Sequence, residues 1–183
     1  MSLIFDGIEN PGIRSAFEHV FQRYEILRNS KIYVRKRHLK GMTMRALPKL
    51  DNLLFPPIRS YEIHVAEHVR DSNKKRVDEL ERDVLMGWVA HEMGHLADYH
   101  RRKTLSMLWY GLKYYLFSSF ARDVEHEADR LAVQHGFIKE ILATKEFLFF
   151  SPEISAGYRK KLRNLYMSIE EVKLCVPENQ SII

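Results

Sequence analysis

Two histidines four residues apart, His91 and His95, constrain this chain more than any other feature, because an apolar stripe runs into them. Val77, Leu80, Val84 and Trp88 recur at helical spacing, and His91 and His95 continue the same stripe. Residues four apart lie one above the other on a helix. One long helix over 76–100 therefore turns both imidazoles towards the protein interior. A buried imidazole without a partner carries a desolvation cost, which a shared cation removes. Glu92 stands between them, completing His91-Glu92-Met93-Gly94-His95, an H-E-x-x-H pattern. Such spacing suits one Zn²⁺ held by two imidazoles, with the Glu placed to activate water. Gly94 costs such a helix up to ~1 kcal/mol relative to Ala, and close packing of another backbone would explain its presence.

A zinc site that reacts takes a third protein ligand and keeps a fourth position open. A histidine six residues beyond His95 is absent, since Arg101 stands there, and His100 falls on the wrong side of the helix. A second helix, 121–134, ends near Gly136. On it Glu125 and Asp129 share a face, while Glu127 points nearly opposite. Glu125 is the candidate third ligand. Asp129 is the candidate acceptor for the N–H of a ligand histidine, with His91 the better placed. Glu127 or His126 as ligand is the alternative. Ala128 and Ala132 are small, which lets the two helices approach closely.

The chain of 183 residues suits one domain, and its 45% apolar and 29% charged residues are those of a globular protein. The net charge of +5 is spread along the chain, with only Arg35-Lys36-Arg37 and Arg101-Arg102-Lys103 as clusters. No nucleic-acid partner is expected from it. A lone Cys175 excludes an internal disulfide and a thiolate zinc site, and it fits a reducing compartment. The first ten residues lack an apolar signal core, so a cytoplasmic location is expected. The most apolar run, 105–120, contains Lys113 and is too short for an ordinary membrane span. It reads as a buried or interfacial helix. Helices are expected over 13–28, 137–149 and 156–166, strands over 31–37, 42–47 and 61–69, a loop over 51–57, and a capped turn from Ser168. In the last strand Tyr61, Ile63 and Val65 point one way. As an edge strand it would accept an extended peptide by main-chain hydrogen bonds; as an inner strand it would only complete the core.

With these residues in view, the chain resembles the gluzincin metallopeptidases, in particular the M48-like members and the single-domain minigluzincins. Those proteins carry H-E-x-x-H and a later E-x-x-A-D-like segment, here Glu125-His126-Glu127-Ala128-Asp129. The likeness covers about 13–137. It implies an α+β fold, a mostly helical zincin-like domain with a small three-stranded sheet packed on the active-site helix. It also implies a zinc metalloendopeptidase acting on peptide or protein substrates, with His91, His95 and Glu125 as ligands, Glu92 as general base and Asp129 behind them. Membrane members of the group have long transmembrane helices around the site, which this chain lacks. Many carry a downstream His-Pro segment followed by an Arg; the nearest match is Ser151-Pro152, with Arg159 and Arg163 after it. His135, Tyr158 and Arg159 are the candidates for stabilising the oxyanion. Minigluzincins can be held inactive by their own terminal segments, so 150–183 is a candidate cover for the cleft; a helix finishing the core is the other reading. Two rival classes stand beside the peptidase. One is a catalytically silent zinc scaffold or sensor. The other is a peripheral membrane-surface module using 105–110, with the basic residues 101–103 as lipid contacts. Oligomeric state is not legible.

Overall fold

Every residue from Val84 to Asp98 is buried, and this single stretch organises the molecule. Leu85, Met86, Val89, Ala90 and Met93 place apolar side chains on all sides of it, so no face is left for solvent. The computed structural model describes residues 2–49, 59–72, 74–102 and 104–176; the expected loop 51–57 lies outside them. In chain order the elements are β1 (Ser2–Asp6), α1 (Pro11–Arg23), β2 (Lys31–Lys36), β3 (Met44–Pro48), β4 (Ser60–Val65), α2 (Arg82–Arg101), α3 (Thr104–Leu116), α4 (Ser118–Gln134), α5 (Ile138–Phe150), α6 (Ala156–Leu165) and α7 (Ile169–Leu174). The buried stretch is the body of α2. Around it pack α1, α4, α5 and the strand β3.

The expected helix over 76–100 starts later than its apolar stripe. Val77–Glu79 form a short 3-10 turn and Leu80 is extended, at φ −67° and ψ 144°. The Val77 N–H donates to the Glu67 carbonyl, so this segment is pinned to the chain leaving β4 before α2 begins. The run expected as one helix over 105–120 divides at Phe117, whose extended backbone (φ −122°, ψ 109°) separates α3 from α4. Gly136, at φ +89°, takes the left-handed position that ends α4, and its N–H bonds back to Val133.

The α+β class holds, but the sheet has four strands rather than three, in the order β1-β2-β4-β3. The extra strand is β1, whose consecutive Leu3, Ile4 and Phe5 lack the alternation that marks a half-buried strand. It pairs in parallel with β2 across the α1 crossover. Asn10 caps α1 by accepting the Ile13 N–H at 3.1 Å.

A second correction concerns Tyr61, Ile63 and Val65. They lie on β4, which is parallel to β2 on one side and antiparallel to β3 on the other. An inner strand has no free main-chain edge, and all three side chains are buried in the core. The edge beside α2 is β3. Its pairing with β4 runs through alternate residues, with Ala66 N–H bonded to Thr43 and Lys49 N–H to Ser60, so the main chain of Ala46 faces away from the sheet.

Two glycines on α2 set how near its neighbours come. A Cβ on Gly94 would sit 2.5 Å from the Ala128 carbonyl oxygen of α4, and one on Gly87 would sit 2.1 Å from the Glu140 oxygen of α5. Neither contact involves a flexible side chain, so a methyl group must push a whole helix. Gly94→Ala should therefore lose about 1–3 kcal/mol of stability, the range for overpacking, as a lower urea midpoint with an unchanged slope. The control is Gly111→Ala on α3, where a new Cβ meets nothing within 4 Å; it should be neutral or stabilising.

Candidate metal centre

Because α2 and α4 meet backbone to side at Gly94 and Ala128, the turn carrying the histidines lies against the turn carrying Glu125. The two imidazoles stand edge to face, with centroids 4.7 Å apart and planes at 88°. His91 Nε2 is 3.0 Å from Glu125 Oε2, and His95 Nε2 is 3.4 Å from the same oxygen. The ligand atoms of His91, His95 and Glu125 all lie within 4.8 Å of one another, and the three residues could hold a metal ion. The donor set of two imidazole nitrogens and one carboxylate oxygen is that of a divalent transition metal or zinc. Three lone-pair-bearing atoms facing one another away from water need a positive charge between them, whether a proton or a metal.

Groups behind the ligands fix their orientation. His91 Nδ1–H donates to Asp129 Oδ1 at 2.9 Å, which turns Nε2 towards Glu125. The other Asp129 oxygen accepts from Lys145 Nζ of α5 at 2.6 Å, with both side chains almost wholly buried. Tyr114 of α3 donates its hydroxyl to Glu125 Oε1 at 2.5 Å, leaving Oε2 to the histidines. The Tyr166 ring lies 5.6 Å from that of His91, and Tyr99 stacks on His95 at 6.1 Å. Glu92 is buried within the same turn, and its carboxylate accepts the outward N–H of Ala46 on the edge strand β3.

Burial and charge act in opposite senses on each group. Burial alone would lower the His91 imidazolium, but the hydrogen bonds and charges of Asp129 and then Glu125 outweigh it and hold its pKa at about 10. Burial would raise Glu125, yet His95 and His91 bring it well below the ordinary carboxylate range. Asp129 is lowered as well, because Lys145 and His91 overcome its burial. Glu92 goes the other way: burial raises it, and the neighbouring His95 and His91 only partly compensate. One carboxylate is held charged beside the histidines while another is held ready to take a proton.

The structure distributes the remaining candidates unevenly. Glu127 pairs with Arg130 at 2.6 Å, and His126 is half-buried without joining the cluster, so neither reaches the two histidines as a ligand would. His135 caps α4 about 15 Å further along than Glu125. There it stacks on Tyr24 at 4.1 Å and donates to the Leu131 carbonyl. Arg159 donates to the Ser151 and Ile154 carbonyls and so ties down the turn before α6. Those two oxyanion candidates have structural partners instead. Tyr158 is buried beneath the Arg70 guanidinium, 4.5 Å from its ring, and it feels the charge of Glu125. The described part of the C-terminal segment finishes the core through Tyr158, Leu162, Met167 and Val172, and it also lays Tyr166 against His91. His91, Glu92, His95 and Glu125 are only 6, 5, 7 and 3% exposed, so the centre is closed to solvent in this form.

Tyr114, Lys145, Tyr166 and the Ala46 N–H escape a reading of the sequence. Lys145 alone left a usable signal, a lysine among Ile141 and Leu148 on the inward stripe of α5. No protein-family model matches the chain, and no curated protein or solved structure does either.

Two measurements follow from this electrostatic arrangement. Lys145→Met removes one of the two cationic partners of the buried Asp129 carboxylate, and should cost about 3–5 kcal/mol in chemical denaturation. Metal uptake must displace the proton that His91 Nε2 carries below a pKa of about 10. Calorimetric titration with Zn²⁺ near neutral pH, in buffers of different ionisation enthalpy, should show about one proton released. The affinity should then rise with pH and level off above the His91 pKa; a pH-independent affinity would contradict the arrangement.

Proposed function

We propose that the chain is a zinc-dependent metallopeptidase, with His91, His95 and Glu125 holding the ion and Glu92 acting as general base. The observation that carries this reading is the convergence of the three ligand atoms one residue away from a buried carboxyl whose proton affinity is raised. Zinc is the ion that suits two imidazoles and one carboxylate with a position left open. When bound, it would supply Lewis acidity towards a peptide carbonyl and lower the pKa of water.

The residues of the chain divide the remaining tasks. Glu92 takes a proton from the attacking water and passes it to the leaving amine. Its raised proton affinity supports that role, since a base poised nearer neutrality both accepts and returns the proton. Asp129, itself held by Lys145, keeps His91 in the tautomer with its lone pair on Nε2. Tyr114 keeps Glu125 from rotating away. The edge strand β3, rather than β4, is the place for an extended substrate. Its outward main chain at Ala46 already touches Glu92, so a peptide added there would run past the base. Cys175 is free, which agrees with a cytoplasmic peptidase of a reducing compartment.

A catalytically silent metal-binding scaffold is the second reading, favoured by the closure of the centre. The two part on one variant. Glu92→Gln should retain one bound zinc and the wild-type melting temperature, while cleavage of an unfolded protein such as casein falls about 10²–10⁴-fold. Equal cleavage by both proteins would remove Glu92 from its role. A zinc-loaded wild type that leaves unfolded substrates intact would favour the scaffold.

A further inference from the structure

The helix α3 is folded with the hydroxyls of Tyr110 and Tyr114 inward and much of its apolar surface outward. On the inner side Tyr110 donates to Asp98 at 3.0 Å and Tyr114 to Glu125 at 2.5 Å. On the outer side Trp109 is 66% exposed, Leu112 48% and Leu116 64%, three residues at i, i+3 and i+7 that share a stripe. Tyr115 borders the stripe at 80% exposure, and Phe117 follows the helix at 55%. Single exposed apolar residues are ordinary, whereas a contiguous aromatic and aliphatic stripe marks a surface that meets something.

Charge narrows the choice. From Tyr99 to Arg122 the chain contains no Asp or Glu. Lys113 lies on the outward side of α3, and Arg101 and Arg122, both exposed, flank the helix along the chain. We infer that the outward face of α3 docks on an anionic lipid bilayer surface. An in-plane helix with Trp, Tyr and Leu on its lipid side and cations beside them is the chemistry that binds a negatively charged interface. A second copy of the chain answers this charge less well, because the segment 99–122 of such a copy offers no carboxylate to Lys113 and the flanking arginines. No helix among the described residues is long and apolar enough to cross a membrane, so α3 would lie on the surface rather than span it. The docking face is independent of the peptidase reading, since it is turned away from the metal centre that Tyr114 touches.

Flotation of the full chain with phosphatidylcholine vesicles, with and without phosphatidylserine, tests the inference. The protein should float with the phosphatidylserine vesicles at least about 10-fold better than with phosphatidylcholine alone, and added salt should release it. Tryptophan emission should shift to the blue on binding, and the shift should vanish in Trp109→Phe. The double variant Leu112→Glu, Leu116→Glu alters only exposed positions. It should lose flotation while keeping its helix content, melting temperature and zinc stoichiometry. Failure to float with phosphatidylserine vesicles, or undiminished flotation of the double variant, would overturn the inference. So would concentration-dependent self-association that the same variant abolishes without any vesicle binding, since that would assign the face to a second copy.

Discussion

The close crossing of α2 and α4 at Gly94 and Ala128 is the contact on which the rest depends. A side chain as small as a methyl group at Gly94 would collide with the Ala128 carbonyl, so the two backbones approach more closely there than a Cβ allows. Only that approach brings Glu125, 30 residues beyond His95 in the chain, to within 3.4 Å of its ring. The site is thus a consequence of packing. Its ligands come from two helices, and the distance between those helices is set by the smallest residues on each.

Such a centre is costly to assemble without an ion. Glu125, Asp129, Glu92, His91, His95 and Lys145 are all buried, and each charge taken from water must find an opposite one. Lys145 answers Asp129, and His91 stands between Asp129 and Glu125, which is why its imidazole stays protonated far above the ordinary range. Buried ion pairs seldom stabilise a fold better than apolar residues of the same volume would. Their concentration around one buried pair of histidines is therefore not accounted for by stability alone. Glu92 is the member without a cation dedicated to it, and it is the one whose carboxyl is pushed towards protonation.

The sheet and α3 frame this centre on different sides. β3 has no further strand beside it among the described residues and directs its Ala46 N–H at Glu92, while β4 is hydrogen-bonded to a strand on both sides. α3 holds the ligand carboxylate through Tyr114 and turns Trp109, Leu112 and Leu116 outward. Tyr99, Tyr114 and Tyr166 lie directly against the ligand residues, and burial raises the pKa of each, so they stay neutral.

Local rules explain what could be read in advance. The spacing of His91 and His95 on an apolar stripe, Glu125 and Asp129 four apart on a second helix, Gly94 and the small Ala128 and Ala132 are all statements about one helix face, and periodicity carries them. The capping serine at 168 and the stop at Gly136 belong to the same kind, since each satisfies its own end of a helix. What periodicity cannot carry is adjacency between distant segments. The strand order that puts β3 at the edge and buries Tyr61, Ile63 and Val65 is decided by which chains pair. β1 was invisible because its apolar run acquires a face only when β2 lies beside it. Tyr114 and Lys145 reach the centre from α3 and α5 for the same reason. The inward stripe of α5 marks Lys145 as buried, but a hydrogen bond between distant residues leaves no period in either, so only the folded chain decides which group each one reaches.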